Sequence, residues 1–261
     1  MVFGIRDIDE TQAPLLDHLI ELRARLMRCV FALLIAFAVC FYFAQDILAF
    51  LVQPLLDAGQ SKLIYTKLYG QFFVELKVAL FAAFFVSFPV IANQLWAFVA
   101  PGLYAKEKRA FLPFLLATPV LFVAGGALAY FVVMPTAFHF FLGFQGTQGG
   151  VQIEALPNTE DYLSLVMQFI LAFGLSFLLP VLLLLLNRAG IVSRRQLSGA
   201  RRYIIVGVFI VAAVLTPPDV VSQLMLAVPL LLLFEGALAV MWFSDRKAAR
   251  EKAAELATPS S

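Results

Sequence analysis

Residues 14–28 read PLLDHLIELRARLMR, and the chain that follows them is almost wholly apolar as far as Ala44. Within this stretch leucines recur at helical spacing, and charged residues run down another face of the same helix. The leucines are Leu15, Leu19, Leu22 and Leu26, and the charged residues are Asp17, Glu21, Arg25 and Arg28. The pattern predicts an amphipathic helix that runs directly into a membrane-spanning segment.

The composition of the whole chain is typical of a membrane protein. It has 261 residues, of which 62% are hydrophobic and 27 are phenylalanine, whereas soluble domains average about 45–50% apolar residues. Several apolar runs of about 20 residues, long enough to cross the hydrocarbon core, predict a polytopic all-α membrane protein. The first 26 residues are polar or amphipathic, so we expect no cleavable signal peptide.

The apolar runs predict six membrane spans with soft ends. They lie at about 27–46, 74–99, 110–135, 161–186, 203–217 and 222–242. Pro113, Pro119 and Pro135 predict kinks in the third span, and Pro180 predicts one in the fourth. The predicted domains are a cytoplasmic N-terminal amphipathic segment (1–26), a six-helix membrane domain (27–243) and a cytoplasmic tail (244–261), which is expected to be frayed helix or disordered.

The fifth and sixth spans form an unusual pair. Tyr203–Thr216 covers only fourteen residues, roughly 21 Å of helix, against a hydrocarbon core of about 30 Å. A tight turn, Thr216-Pro217-Pro218-Asp219, then leads into the sixth span. These two short segments either cross a locally thinned bilayer or form a re-entrant pair, and both arrangements leave the chain ends on one side.

Lysine and arginine are distributed very unequally between the two sides of the predicted bundle. Sixteen of the 19 lie in the N-terminal arm, the 100–110 and 187–202 segments and the tail, and only Lys62, Lys67 and Lys77 remain for the other side. The positive-inside rule therefore predicts cytoplasmic termini. The longer loops, 47–73 and 136–160, would then cap the periplasmic helix ends, with a flexible glycine-rich run at 146–150 and an N-cap at Asn158 or Thr159.

Residues that commonly carry catalysis or bind metals are scarce. The two histidines, His18 and His139, fall on opposite predicted sides, and His18 is interpreted as a helix-surface residue. No metalloprotease, nucleophile-elbow or phosphate-loop motif is present. Ser176 has no histidine in a predicted span to act as its base. We therefore expect no enzyme activity, no metal and no cofactor.

A secondary transporter or a channel is the main alternative class. Coupling ions usually need ionisable residues deep inside the spans, and the interiors of the first, third, fourth and fifth predicted spans contain none. Glu235 lies within the sixth span and is open to two interpretations. It is either an intramembrane functional carboxylate or a side chain that reaches the inner interface.

Acidic residues among the basic cytoplasmic segments form the remaining candidate site. Glu21 in the first helix and Glu107 in the sequence Lys-Glu-Lys-Arg could pair locally with their neighbours, Glu21 with Arg25. They could instead form a carboxylate patch that binds a cationic peptide, in which bidentate arginine pairing would give specificity. The residue pattern alone leaves both interpretations open.

Five segments of the chain resemble, in order and spacing, motifs of the TatC family, the multispanning core component of the twin-arginine protein translocase. They are HLIELRARL (18–26), QLWAFVAPGLY (94–104) with Glu107 and Arg109, AYF (129–131), AFGLSF (172–177) and LTPPD (215–219). The resemblance extends from about residue 14 to residue 243.

The resemblance implies a concave, glove-like helical bundle in the bacterial cytoplasmic membrane that recognises folded proteins bearing a twin-arginine signal peptide. The residues implied in peptide binding are Glu21 and Glu107, supported by Arg23 and Phe98, while Pro54 and Asp219 match functional positions on the periplasmic side. The implied partners are the single-span TatA and TatB subunits, other TatC copies and the lipid bilayer, without nucleic acid. Export would be driven by the proton-motive force.

The chain departs from the family pattern at one position. Leu178 stands where many members carry a mid-membrane glutamate that is proposed to bind a polar group of a partner span. Gln168, in the same predicted span, could offer such a partner a weaker hydrogen bond.

Overall fold

The computed structural model describes residues 9–103, 112–148, 151–188, 190–216 and 219–257. Its helices are α1 (Asp9–Tyr42), α2 (Ala44–Asp57), α3 (Gly70–Leu103), α4 (Leu112–Leu128), α5 (Met134–Leu142), α6 (Thr159–Ser176), α7 (Leu179–Arg188), α8 (Arg194–Gly199), α9 (Arg201–Leu215) and α10 (Val220–Ala257). A π-helical turn, Ala129–Val133, joins α4 to α5. Two short strands, β1 (Gly146–Gln148) and β2 (Val151–Ile153), pair antiparallel. The predicted all-α class is confirmed.

Five helical segments within the described residues are long and apolar enough to cross a membrane. They are His18–Tyr42, Gly70–Phe98, Phe114–Leu142, Thr159–Arg188 and Val220–Phe243. The prediction of a polytopic membrane protein is therefore confirmed. Helix α9 has 15 residues, so the fifth predicted span corresponds to a short helix. The count of six spans and the glove-like shape stay predictions.

The chain divides into two compact units. The first contains the described parts of Met1–Ile47 and Glu75–Pro119, and the second those of Leu48–Val74 and Val120–Ser261. The core of the first unit joins α1 and the start of α2 to α3 through small side chains. These are Ala36, Cys40, Ala44, Ala79 and Ala83, all of them buried. Small residues let helices approach closely where lipid supplies no hydrophobic driving force.

In the second unit, α4 and α6 meet at two glycines. A Cβ atom on Gly125 would lie 2.5 Å from the carbonyl oxygen of Phe173, and one on Gly174 would lie 2.9 Å from the ring of Phe122. Phe122 and Phe173 are fully buried. Glycine is required at this contact, because a side chain on either helix would push the two backbones apart.

Proline removes a backbone hydrogen bond at two places in the second unit. Helix α6 ends at Ser176 and α7 begins at Leu179, which confirms the kink predicted at Pro180. The cause is that Pro180 has no N–H to donate to the carbonyl of Ser176, four residues earlier. Within α2, Pro54 deprives the carbonyl of Phe50 of its helical donor in the same way.

Residues of the two long loops contact each other in the second unit. The N–H of Ile64 donates to the carbonyl of Pro157 at 3.1 Å, and the N–H of Thr159 donates to the carbonyl of Ile64 at 3.0 Å. Asn158 is the N-cap of α6, and its Oδ1 accepts a hydrogen bond from the N–H of Glu160 at 3.1 Å. The predicted N-cap is thus confirmed as Asn158.

The glycine-rich run that was expected to be flexible begins instead in a β-hairpin, where Gly146 pairs with Ile153. Helix α10 continues to Ala257 through the tail, which was expected to be frayed helix or disordered. The sequence there, RKAAREKAAELA (246–257), consists of strong helix formers, so local propensity extends the apolar helix. The domain boundaries stay predictions.

Candidate functional site

Glu21 lies on α1 and is held by Arg25, one helical turn further along. Nε and Nη2 of Arg25 donate to the same carboxylate oxygen, Oε1, at 2.9 and 2.6 Å. The side chain of Arg25 is 20% exposed and that of Glu21 is 38% exposed. The local ion pair that the sequence offered as one interpretation of Glu21 is present.

The second carboxylate oxygen of Glu21 lies beside a pair of stacked rings. Oε2 is 3.9 Å from Nδ1 of His18, which is beyond hydrogen-bond length. The imidazole of His18 stacks on the ring of Phe98, with centroids 4.3 Å apart and planes inclined by 16°. A carboxylate oxygen next to an aromatic surface suits a guanidinium group, which donates hydrogen bonds to a carboxylate and stacks on rings.

The first unit therefore brings together Glu21 and Phe98, two of the residues implied in peptide binding, through His18. The sequence interpretation of His18 as a plain surface residue missed this contact. Its position was a usable signal, because residues three apart on a helix lie on the same face, and His18 precedes Glu21 by three.

The other two implied residues are placed differently. Arg23 is exposed and stands two positions after Glu21, about 200° around the helix, so it lies on another face of α1. Glu107 lies outside the described residues. The pairing of Glu21 with Glu107 in one acidic patch therefore stays a prediction.

Pro54 and Asp219 both belong to the second unit. Pro54 is buried within α2, where it leaves the Phe50 carbonyl without a donor from its own helix. Oδ1 of Asp219 accepts a hydrogen bond from the N–H of Ser222 at 2.7 Å, so Asp219 caps the start of α10. Its Oδ2 is buried and has no hydrogen-bond partner within the described part of the chain.

Gln168 and Leu178 both lie in the fourth predicted span. Nε2 of Gln168 donates to the carbonyl of Leu215, the last residue of α9, at 3.0 Å. This bond uses one N–H of the amide and leaves the other N–H and Oε1 for a second partner. Leu178 lies in the break between α6 and α7. A hydrogen bond from Gln168 to a partner span stays a prediction.

Glu235 has a specific partner in the second unit. Its Oε2 accepts a hydrogen bond from Nη2 of Arg201 at 2.8 Å, and both side chains are 51% exposed. Arg201 is the first residue of α9. The contact gives Glu235 a cationic partner, and its role, as an intramembrane functional carboxylate or as a side chain at the inner interface, stays a prediction. No local pattern indicated the contact, because 34 residues separate the two.

Within the described residues, no group of three or more histidine, cysteine, aspartate or glutamate side chains could hold a metal ion. His139 lies on α5, where its Nδ1 is 2.7 Å from the carbonyl oxygen of Pro135 in the preceding turn. Both histidines thus have a contact nearby, His139 with the backbone and His18 with Phe98 and Glu21.

Five helical segments of membrane-spanning length and apolar composition define a multi-pass helical membrane protein. Residues 17–229 match the family model described as Sec-independent protein translocase protein (TatC). A Sec-independent protein translocase protein TatC from Magnetococcus marinus is 50% identical over 248 residues, which are 94% of this chain and 90% of that protein. The protein of that name from Escherichia coli strain K12 is 43% identical over 230 residues, 87% of each chain.

The fold is also similar to a crystal structure of the twin arginine translocase receptor TatC in DDM, with a TM-score of 0.75 and 38% identity. That similarity covers 85% of this chain and 98% of the other. The chain belongs to the TatC family, as its motifs indicated. It is a component of a Sec-independent protein translocase, which is a transport role.

Proposed function

We propose that this chain is the receptor subunit of a twin-arginine translocase and that it binds the arginine pair of signal peptides on its first helix. Membership of the TatC family supports the proposal, and so does the similarity to a structure described as a twin arginine translocase receptor. The observation that carries it is the juxtaposition of the Glu21 carboxylate with the stacked rings of His18 and Phe98.

The chemistry of this site distinguishes arginine from lysine. A guanidinium is planar, so it can donate to Oε2 of Glu21 while its face rests on the aromatic pair. A lysine ammonium could satisfy the charge of Glu21, but it has no planar fork. Arg25 donates to Oε1 of Glu21. This bond lowers the affinity of Glu21 for cations in general, since any incoming cation must compete with Arg25.

The second carboxylate of the proposed patch is Glu107, in the basic segment Lys106–Arg109. Two carboxylates would hold two adjacent arginines more selectively than one, because each guanidinium could form its own charge-assisted hydrogen bonds. The assignment of Glu107 rests on the family motif. Arg23 belongs to the same motif as Glu21, and its exposed position suits a contact with the signal peptide beyond the arginine pair.

The assembly and the energy source complete the proposal. Both termini lie in the cytoplasm, which the distribution of lysine and arginine supports, and the chain resides in the bacterial inner membrane. TatA, TatB and further TatC copies bind to this chain, and the proton-motive force drives export. Membership of a translocase family supports the presence of such partners.

The test is the binding of a labelled twin-arginine signal peptide to the purified full-length protein in detergent, beside the same peptide with two lysines. We expect the arginine peptide to bind about ten-fold tighter, since hydrogen bonds to charged groups contribute about 1.5–3 kcal/mol. Glu21→Gln and Glu107→Ala should each abolish the preference while the protein stays folded.

Asp57→Asn is the matched control. Asp57 is an exposed carboxylate that accepts a hydrogen bond from Gln53, four residues earlier on α2. Its neutralisation therefore removes one negative charge at a position 36 residues after Glu21. It should leave the arginine preference unchanged. If the Glu21→Gln variant still binds the arginine peptide more tightly than the lysine peptide to the same extent, the proposal is contradicted.

A further inference from the structure

A cavity of about 350 Å³ opens in the second unit between α8, the start of α9 and α10. Arg194 and Ser198 line it from α8, Arg201 from α9, and Glu235 and Trp242 from α10. The helices around the cavity share a core. Its members are Leu197, Phe234, Leu238 and Met241, all buried, with Ile204 packed against them. The polar side chains of the cavity thus project from helices whose positions are fixed by this shared core.

The cavity is rich in hydrogen-bond donors. Nη2 of Arg201 donates to Glu235 at 2.8 Å, and Nε of Arg194 donates to Asp245 at 3.2 Å. Each guanidinium carries five N–H groups, so these two bonds orient both side chains and leave most of their donors for a guest. Ser198 adds a hydroxyl.

The charges of the lining residues leave an excess of one positive charge. Arg194 and Arg201 are cationic and Glu235 is anionic. Just outside the lining, Asp245 and Arg246 cancel each other, and the guanidinium of Arg246 lies 5.1 Å from the centre of the Trp242 ring. A guest with a single negative charge would neutralise the site.

The position of the cavity along α10 indicates the medium around it. The apolar, membrane-length part of this helix ends at Phe243, one residue after Trp242. Asp245 and Arg246 follow shortly after it. Tryptophan is enriched where hydrocarbon meets headgroups. Large apolar side chains near the cavity are exposed, among them Phe243, Val240 and Tyr203, and these would contact acyl chains. The cavity therefore opens at the level of the lipid headgroups.

We propose that this cavity binds a phosphate group, supplied by the headgroup of an anionic phospholipid. The phosphodiester accepts hydrogen bonds from Arg194 and Arg201, whose guanidinium forks match its oxygens. The acyl chains lie along the exposed apolar face of α10. Basic pockets between membrane helices are known as headgroup sites. The family motifs and the peptide site on α1 play no part in this assignment, so it is independent of the proposed function.

Trp242 provides a local reporter for the test. The chain contains two tryptophans, so Trp96→Phe leaves Trp242 as the single one. The full-length Trp96→Phe protein is reconstituted in phosphatidylcholine bilayers containing increasing fractions of phosphatidylglycerol with brominated acyl chains, which quench nearby tryptophan. Brominated phosphatidylcholine serves as the second arm. We expect phosphatidylglycerol to bind about five-fold or more in preference to phosphatidylcholine.

Variants of the lining separate this cavity from general surface charge. Arg194→Gln and Arg201→Gln should each lower the preference about five-fold, since an arginine near an anionic surface contributes about that factor. Glu235→Gln should raise it, because it removes the only negative lining charge. Arg202→Gln is the matched control, because Arg202 is the next residue to Arg201 but lies over the Tyr203 ring outside the lining.

Three results would overturn the assignment. Equal quenching by the two brominated lipids would mean that the site has no preference for an anionic headgroup. An equal loss in Arg202→Gln and Arg201→Gln would mean that diffuse loop charge, not the cavity, attracts the lipid. Inorganic phosphate or glycerol phosphate that competes at millimolar concentration in detergent would identify a soluble anion as the ligand.

If Trp96→Phe does not fold, native mass spectrometry of bound lipid on the unmodified protein and the same four variants gives the same comparison.

Discussion

Tyr130 donates a hydrogen bond from its phenol to the carbonyl oxygen of Phe50 at 2.6 Å, and the rings of these two residues stack with centroids 4.3 Å apart. Phe50 stands four residues before Pro54, whose missing N–H leaves that carbonyl without its helical donor. The phenol of Tyr130 supplies a donor to this carbonyl in place of the missing one. Tyr130 therefore completes the hydrogen bonding of a helix to which it does not belong.

The first prediction concerns this bond. Tyr130→Phe keeps the ring and its stack on Phe50 but removes the donor of this part-buried hydrogen bond. We expect the free energy of unfolding to fall by about 1 kcal/mol, measured by thermal or denaturant unfolding in detergent. Tyr69→Phe, at a tyrosine whose side chain is exposed, is the control and should change stability by less than about 0.5 kcal/mol.

A double-mutant cycle identifies the cause. Pro54→Ala restores an N–H at position 54, which can donate to the carbonyl of Phe50 inside α2. In that background Tyr130→Phe should cost clearly less than in the wild type, because the carbonyl keeps a partner. An identical cost in both backgrounds would show that Tyr130 acts through packing alone and that the link to Pro54 is absent.

The second prediction concerns the contact between α4 and α6. Gly125→Ala should destabilise the protein by about 1–3 kcal/mol, because overpacking forces backbone shifts and the new Cβ would lie 2.5 Å from a backbone carbonyl. Gly207→Ala, on α9, has open space around the new atom and should be neutral or stabilising, since alanine is the better helix former. Thermal unfolding of both variants in one detergent measures the two changes in stability. Similar losses of stability at Gly125 and Gly207 would contradict the close contact of α4 with α6.

Local features of the sequence were enough to predict much of the fold. Apolar runs identified the membrane helices because lipid imposes a minimum length. Pro180 marked a helix break and Asn158 an N-cap for reasons that lie within one helical turn. The short helix α9 followed from the fourteen residues available for it. In each case the cause and the effect are a few residues apart.

Contacts between distant segments could not be predicted in this way. Tyr130 and Phe50 are 80 residues apart, and Arg201 and Glu235 are 34 apart, so no periodicity connects them. The local pair of Glu21 with Arg25 was foreseen, but the stack of His18 on Phe98 was not, because it depends on how α1 and α3 pack. The residue types indicated chemistry, and only the tertiary arrangement shows which groups already have partners.

The third prediction concerns Arg25 and rests on the proposed peptide site. Arg25 occupies Oε1 of Glu21, so Arg25→Gln makes both carboxylate oxygens available for a guest guanidinium in bidentate geometry. We expect a twin-arginine peptide to bind up to about five-fold tighter, because a partly exposed ion pair of this kind contributes up to about 1 kcal/mol. Peptide titration by fluorescence anisotropy measures the change.

Arg28→Gln is the control for this prediction. It also removes one positive charge from α1, but Arg28 contacts Gln94 at 3.5 Å and not Glu21. A general electrostatic effect would tighten the binding of the cationic peptide in both variants to the same extent. The release of Glu21 would do so in Arg25→Gln only.

The last prediction separates two roles of Asp219. Its Oδ1 caps α10 through the N–H of Ser222, so Asp219→Ala should lower the free energy of unfolding by about 1 kcal/mol, measured by thermal unfolding. Asp219→Asn keeps an oxygen acceptor that can cap equally well, and its stability should stay near that of the wild type.

Export of a twin-arginine precursor in cells, measured for both variants, then gives the functional comparison. If the cap is what the position supplies, the asparagine variant exports normally and only the alanine variant is impaired. Loss of export in both, with stability kept in Asp219→Asn, would instead assign the function to the negative charge, whose second oxygen is buried beside the start of α10.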